Sequence, residues 1–122
     1  MNPNLLAQFS LFGQYLADHA RDITLNFFRN LKSVQYKKDS SPVTVADREV
    51  ETKIRELIMD KYPKHAIFGE EYTPISSEEP WTWVIDPIDG TRSFISGKPT
   101  FGCLIALLYE QKPMLGIIEM PA

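Results

Sequence analysis

The sequence of 122 residues is 43% hydrophobic and 24% charged, a composition typical of one globular domain and unlike a disordered or fibrous chain. Its 16 acidic and 13 basic residues are mixed along the chain and leave a net charge of -3, so it lacks the basic stripe that nucleic-acid binding needs. The single cysteine rules out an intrachain disulfide, and no apolar run approaches the roughly 20 residues of a membrane span. We therefore expect a cytoplasmic protein with one domain over residues 1–122 and neither nucleic acid nor a membrane as partner.

Two helices are predicted in the first half of the chain. Large apolar residues recur at steps of three, four or seven from Leu5 to Leu31, which indicates a long helix that serves as scaffold. A polar loop follows and ends at Pro42. Thr44 is then a good N-cap with Asp47 three residues later, and helical spacing continues until Pro63. Asp47 therefore lies in the first turn of the second helix, where completing the cap is its ordinary role.

Two predicted strands end at carboxylates. The short apolar run 66–68 leads into Glu70 and Glu71, and the alternating run 81–85 leads into Asp86. Because open sheets place ligands at the carboxyl ends of their strands, these side chains are candidates for a binding site. A solvated acidic loop is the alternative, and it fits Glu71 better than Glu70.

An apolar hairpin is predicted near the end of the chain. The sequence is apolar from residue 100 to residue 108, turns near residues 111–113, and becomes apolar again over residues 115–118. We expect a buried hairpin in a mainly antiparallel sheet that carries two helices, which is an α+β or α/β fold. Since the sequence stops at Ala122 soon after a strand, one edge of the sheet would be bare and a truncated chain is expected.

The segment Asp86-Pro87-Ile88-Asp89-Gly90-Thr91 holds the strongest chemical pattern. A tight turn here would aim the two aspartates and the carbonyl of Ile88 at one point. Oxygen ligands without a nearby His or Cys suit Mg²⁺, or Mn²⁺, rather than zinc. Gly90 and Thr91, at the start of a short helix, would offer a hydroxyl and backbone N–H groups to a phosphate. A plain surface turn is the alternative, because Asp-Pro and Asp-Gly are favoured turn dipeptides.

Together with Gly69-Glu70-Glu71 and Val43-Thr44-Val45-Ala46-Asp47, this segment resembles the inositol monophosphatase superfamily. The resemblance covers nearly all of the sequence but only the N-terminal portion of a typical member. It implies the first part of a layered αβαβα sandwich and a Mg²⁺-dependent phosphatase that acts on a small phosphomonoester.

The resemblance also implies a role for each site residue. The implied metal ligands are Glu70, Asp86, Asp89 and the carbonyl of Ile88. The implied phosphate contacts are Gly90 and Thr91. By the same resemblance, Asp47 accepts a hydrogen bond from Thr91, and this pair acts with Glu70 to orient and activate a metal-bound water, the nucleophile.

The residues after Thr91 bear on the substrate. Arg92 and the run Pro99-Thr100-Phe101-Gly102 resemble the histidinol-phosphatase branch more than the inositol-directed members. This favours hydrolysis of histidinol phosphate, a step of histidine biosynthesis. The sequence does not decide the oligomeric state, and a homodimer is one possibility. Inositol or sugar phosphates are the alternative substrates. An inactive truncated chain that only binds metal is the alternative of another class.

Two residues outside these motifs, Cys103 and Lys38, also have candidate roles. Cys103 lies in an apolar strand without a base nearby in sequence, which favours a buried inert thiol over a nucleophile. Lys38, in the loop before Pro42, is a candidate to brace a further metal or its waters.

Overall fold

The computed structural model describes residues 3–29, 35–36 and 42–121, so that Leu31 and Lys38 lie outside the described residues. In chain order the elements are α1 (Pro3–Phe27), β1 (Gln35–Tyr36), β2 (Pro42–Val43), α2 (Val45–Lys61), β3 (Ala66–Gly69), β4 (Trp81–Asp89), α3 (Thr91–Ile95), β5 (Gly102–Tyr109) and β6 (Lys112–Glu119). The strands β1 and β2 pair with each other, and the other four form one sheet in the order β3-β4-β5-β6.

The predicted first helix is confirmed as a long scaffold helix, but it ends at Phe27, and residues 28–29 form a turn instead of continuing the helix. One face of α1 is buried through residues such as Phe9 and Leu16. Gly13 lies on the same face, and a Cβ at this position would come within 2.5 Å of Ile117 Cδ1. The glycine therefore lets α1 lie closely against β6, although it weakens a helix in isolation. No helix in the described part of the chain is long and apolar enough to cross a membrane.

The second helix begins where the sequence predicts. Thr44 is the N-cap: its hydroxyl accepts a hydrogen bond from the backbone N–H of Asp47, while the Asp47 carboxylate accepts one from the backbone N–H of Thr44. This capping box satisfies two backbone donors at the helix start. The helix ends at Lys61, two residues before Pro63. Its buried apolar side chains include Val50, Ile54 and Ile58.

The four-stranded sheet is mixed and mainly antiparallel. Only β3 and β4 run parallel, while β4–β5 and β5–β6 are antiparallel pairs. The helices α1 and α2 cover one face, and the other face carries Phe68 and Ile118, which are 56% and 70% exposed. The buried sheet residues beneath the helices include Ile67, Trp83, Ile85, Ile105 and Leu107. This arrangement confirms the predicted fold of two helices on a mainly antiparallel sheet.

The segment from Asp86 to Asp89 differs from the prediction. The predicted tight turn is wrong at these residues, because β4 continues through Pro87 and Ile88 to Asp89. Its pairing with β5 shifts in register between Asp86 and Asp89, as at a β-bulge. Such an irregularity bends a strand and re-aims its side chains, and it tolerates a proline that cannot donate to the sheet. The chain turns only at Gly90.

The predicted hairpin is confirmed, with its turn at Glu110 and Gln111. Both residues have positive φ, 48° and 67°, as a type I′ turn requires. The strand β5 is largely buried, whereas β6 is the last strand in the sheet order and alternates exposed with partly buried residues. Burial of the hairpin is thus confirmed for β5 and is wrong for β6.

Candidate functional site

One cavity of about 330 Å³ lies where several element ends meet. Because β3 and β4 are parallel, their carboxyl ends share one edge of the sheet, and the first turns of α2 and α3 close on this edge. The lining residues are Asp47, Glu70, Glu71, Asp86, Ile88, Asp89, Gly90, Thr91, Arg92 and Ser93. All described residues that the sequence predicts for the site therefore line this cavity, and only the candidate Lys38 lies outside the described part of the chain. Their chemical roles stay predictions.

The two carboxylate oxygens of Asp47 face different partners. Oδ2 accepts hydrogen bonds from the backbone N–H of Thr44 at 2.8 Å and from its hydroxyl at 2.7 Å. Oδ1 lies 3.4 Å from Oγ1 of Thr91. The side chain is almost completely buried, with the residue 2% exposed. Asp47 is therefore both part of the helix cap and part of the cavity wall, and the two interpretations left open by the sequence are compatible.

The hydroxyl of Thr91 has two acceptors within reach. It lies 2.9 Å from the carbonyl oxygen of Ile88 and 3.4 Å from Asp47. A hydroxyl carries one proton, and 3.4 Å is long for an O–H···O contact, so the Ile88 carbonyl is the stronger partner. The predicted contact between Thr91 and Asp47 is thus present as a long hydrogen bond. The Ile88 carbonyl oxygen has a second lone pair for a further ligand.

Gly90 turns the chain from β4 into α3. Its φ of 81° lies in the left-handed region that favours glycine. A Cβ here would also lie 2.8 Å from the carbonyl oxygen of Thr100 and 3.4 Å from Cα of Phe101. Both the backbone conformation and the close approach therefore require glycine, and the turn places Thr91 at the first position of α3.

A small apolar cluster fixes the backbone beneath the cavity. Its buried members are Ala46, Ile88, Phe94 and Phe101. Ala46 directly precedes Asp47 in the chain, and Ile88 directly precedes Asp89. Packing of these neighbours therefore holds two site residues from below.

The donor atoms at the cavity are oxygens. In the described part of the chain, no three Asp, Glu, His or Cys side chains stand close enough together, as placed, to hold a metal ion. The chemistry of the set nevertheless fits a hard cation, because the lining offers carboxylates and a backbone carbonyl but no His or Cys among the described residues. Binding of Mg²⁺ would require Glu70, Asp86 and Asp89 to close on one point.

Glu51 and Arg55, which no sequence motif indicates, lie behind the loop that carries Glu70 and Glu71. Glu51 is 0% exposed and Arg55 is 7% exposed, and Arg55 Nε donates to Glu51 Oε2 at 2.8 Å. The carboxylate of Glu51 also accepts the backbone N–H of Glu71 at 2.8 Å. The available sequence signal was a Glu and an Arg four residues apart on α2, with Glu51 next to the buried Val50.

The predicted burial of the Cys103 thiol is confirmed. Cys103 is 2% exposed, and burial, with smaller contributions from the charges of Asp86 and Glu119, raises the pKa of its thiol to about 12. A thiol in this state is not a nucleophile near neutral pH.

The sequence is similar to known proteins of one family. The model of the inositol monophosphatase family matches residues 7–122. The chain is 47% identical over 108 residues to the histidinol-phosphatase of Chlorobaculum parvum, covering 88% of this chain and 42% of that protein. It is also 47% identical over 118 residues to the chloroplastic bifunctional phosphatase IMPL2 of Arabidopsis thaliana, covering 95% of this chain and 34% of that protein.

A solved structure shows the same fold. The inositol monophosphatase from Zymomonas mobilis is 44% identical to this chain and matches it with a TM-score of 0.72. The match covers 90% of this chain and 42% of that one. The chain therefore spans less than half the length of the relatives that it matches.

Proposed function

The chain belongs to the inositol monophosphatase family, and we propose that residues 1–122 form one cation- and phosphate-binding domain of a Mg²⁺-dependent hydrolase of small phosphate monoesters. The observation that carries this proposal is the single cavity that collects Asp47, three candidate ligand carboxylates and the Gly90–Thr91 turn. Phosphoryl transfer to water uses a cation held by oxygen ligands, and this cavity offers such ligands beside a hydroxyl. Mn²⁺ is the alternative cation.

Three tasks are divided among the site residues in this proposal: holding the cation, admitting the phosphate and positioning protons. Glu70 takes part in the first and the third. The residues that would hold the cation are Glu70, Asp86, Asp89 and the carbonyl of Ile88. When bound, the cation would stabilise charge on the phosphoryl oxygens and lower the pKa of an attacking water. Gly90, which has no side chain, lets a phosphate oxygen approach the backbone beside Thr91.

Proton positioning falls to Thr91, Asp47 and Glu70. The Thr91 hydroxyl donates toward Ile88 or Asp47, so that its own lone pairs can accept a hydrogen bond from a water in the cavity. Asp47 is a rigid acceptor because Thr44 holds its other oxygen. Glu70 lines the same cavity and is assigned to accept the proton that this water loses.

Histidinol phosphate is the proposed substrate. The 47% identity to the histidinol-phosphatase of Chlorobaculum parvum supports this choice, and Arg92, in the segment that distinguishes the branches, lines the cavity. Inositol or sugar phosphates are the alternative, which the 44% identity to the Zymomonas mobilis inositol monophosphatase supports. The single buried cysteine supports a reducing compartment, for which we propose the cytoplasm.

Phosphate release tests the proposal. The 122-residue chain, and the longest natural protein that contains it, are assayed on histidinol phosphate and on myo-inositol 1-phosphate with Mg²⁺ or with a chelator. Release that requires Mg²⁺, with kcat/KM for histidinol phosphate about tenfold higher or more, is expected. Asp89→Asn should abolish release, whereas Asp60→Asn, at an exposed position near the end of α2, should not.

The other outcomes separate the alternatives. Faster turnover of myo-inositol 1-phosphate would show that the substrate is wrong and the reaction class is right. Failure of every phosphomonoester, combined with calorimetric Mg²⁺ binding, would identify a chain that binds metal without chemistry.

A further inference from the structure

A buried ion pair on α2 lies behind the loop that follows β3. Glu51 and Arg55 are one helical turn apart, and both side chains belong to the interior. Charged residues are almost never buried to this extent unless specific partners compensate them. Their partners therefore indicate what the pair does.

The pair binds both the N–H groups and the carbonyl groups of the loop backbone. Glu51 accepts the N–H of Glu71 at 2.8 Å and the N–H of Tyr72 at 3.1 Å. Arg55 donates to the carbonyl oxygen of Thr73 at 2.8 Å and to that of Tyr72 at 3.0 Å. Four of these five hydrogen bonds, counting the one within the pair, leave the helix and end on residues 71–73. Most hydrogen bonds of the pair therefore connect α2 to the loop.

Gly69 is fitted to the same carboxylate. A Cβ at Gly69 would lie 2.5 Å from Cδ and Oε2 of Glu51, so any larger residue would displace the carboxylate. The last residue of β3 and the first N–H groups of the loop are therefore both arranged around Glu51. Glu70 lies between Gly69 and Glu71 in the chain, so both of its neighbours lie against this carboxylate.

We propose that Glu51, held by Arg55, is a positioning residue that sets the direction in which Glu70 and Glu71 enter the cavity. The consequence for cation binding rests on the proposed function, whereas the effect on the loop does not. A charged acceptor suits this task, because its two oxygens can receive both N–H groups and the guanidinium at once.

Hydrogen exchange tests the effect on the loop. Glu51→Gln keeps the size of the side chain but replaces one acceptor by an amide donor, so the amides of Glu71 and Tyr72 should exchange at least about tenfold faster. The amide of Ile54, in the interior of α2, should keep its protection. Arg21→Met is the matched control: it removes the more exposed ion pairs of Arg21 and should leave exchange at 71–72 unchanged.

Magnesium calorimetry tests the effect on the cavity. Loss of a residue that orients a metal ligand typically weakens metal binding by about 10- to 100-fold, and this loss is expected for Glu51→Gln. Gly69→Ala is a second variant, which keeps every charge and only pushes the carboxylate aside; it decides the question if Glu51→Gln does not fold. The two substitutions act on the same carboxylate, so their effects should not add in the double variant.

The outcomes have distinct meanings. Wild-type exchange at 71–72 in both Glu51→Gln and Gly69→Ala would overturn the inference, as would faster exchange with Mg²⁺ affinity within twofold of wild type. Loss of protection throughout α2 would mean a merely structural pair and would also overturn it. If the wild-type chain binds no Mg²⁺, the proposed function fails, and local exchange at 71–72 alone decides whether Glu51 positions the loop.

Discussion

Thr44 and Asp47 are joined by three hydrogen bonds. Asp47 Oδ2 accepts the backbone N–H and the hydroxyl of Thr44, and Thr44 Oγ1 accepts the backbone N–H of Asp47. These bonds fix the first turn of α2 and leave Oδ1 of Asp47 directed at Thr91. The helix start thus provides a rigid mount for a cavity carboxylate.

Removal of the Thr44 hydroxyl should therefore destabilise the fold. Thr44→Val keeps the shape of the side chain and deletes both hydroxyl interactions, and we expect the free energy of unfolding to fall by about 1–2 kcal/mol. Urea denaturation measures this change. Thr44→Ser, which keeps the hydroxyl, is the control and should stay within about 0.5 kcal/mol of wild type. Equal stability of the Val variant and wild type would show that the cap contributes little.

On the proposed function, the Thr91 hydroxyl should matter for turnover more than for stability. Thr91→Val removes the hydroxyl that lies within hydrogen-bond distance of both the Ile88 carbonyl and Asp47, and we expect kcat for phosphate release to fall about 100-fold or more. Thr91→Ser retains the hydroxyl and should lose far less activity. Steady-state kinetics with thermal midpoints separates the two effects, and a Val variant with wild-type kcat would remove Thr91 from the mechanism.

His65 should make the fold less stable in mild acid. Burial lowers the pKa of His65, with a smaller opposing effect from Glu79, and Trp83 Nε1 donates at 3.0 Å to the Nδ1 lone pair that only the neutral ring has. Since the folded-state pKa is below the unfolded value of about 6.5, the unfolded chain takes up the proton first as pH falls. This part of the stability is complete above pH of about 6.5 and is lost as pH falls through that value toward the folded pKa.

Urea unfolding at pH values of about 7.5 and about 5 measures this loss. His65→Asn offers an acceptor to Trp83 and does not titrate, so it should show a smaller difference between the two pH values. An identical difference in wild type and His65→Asn would mean that other groups cause the acid sensitivity.

Cys103 should resist thiol reagents in the folded protein. Its buried thiol, with pKa raised to about 12, presents almost no thiolate at neutral pH. Alkylation followed by mass spectrometry should be slow in buffer and fast in denaturant. Rapid alkylation of the native chain would show that β5 opens easily.

Local signals in the sequence predicted much of the fold. The start of α2 follows from Thr44 and Asp47, and its end from Pro63, because capping and proline act within one helical turn. The turn at Gly90 could also be predicted, since a glycine before a short helix is a local feature. The ends of β3 and β4 could be placed at one site because both runs lead into carboxylates and open sheets bind ligands at the carboxyl ends of their strands.

Features that depend on distant partners could not be predicted. The path of β4 through Pro87 and Ile88 depends on pairing with β5 on either side of them, at Asp86 and at Asp89. The local sequence pattern does not identify β5 as the partner. Glu51 and Arg55 look like ordinary exposed helix residues until the loop at 71–73 is placed against them. Their role is visible only in the folded chain.

Binding of a paramagnetic cation tests the central claim most directly. Substoichiometric Mn²⁺ is added to the isotopically labelled chain, and relaxation enhancement is measured for each amide. The account predicts strong broadening confined to the residues around Glu70, Asp86 and Asp89, competition by excess Mg²⁺, and loss of the effect in Asp89→Asn but not in Asp60→Asn. Broadening centred elsewhere, or spread over surface carboxylates and unchanged in Asp89→Asn, would contradict a cation site in this cavity.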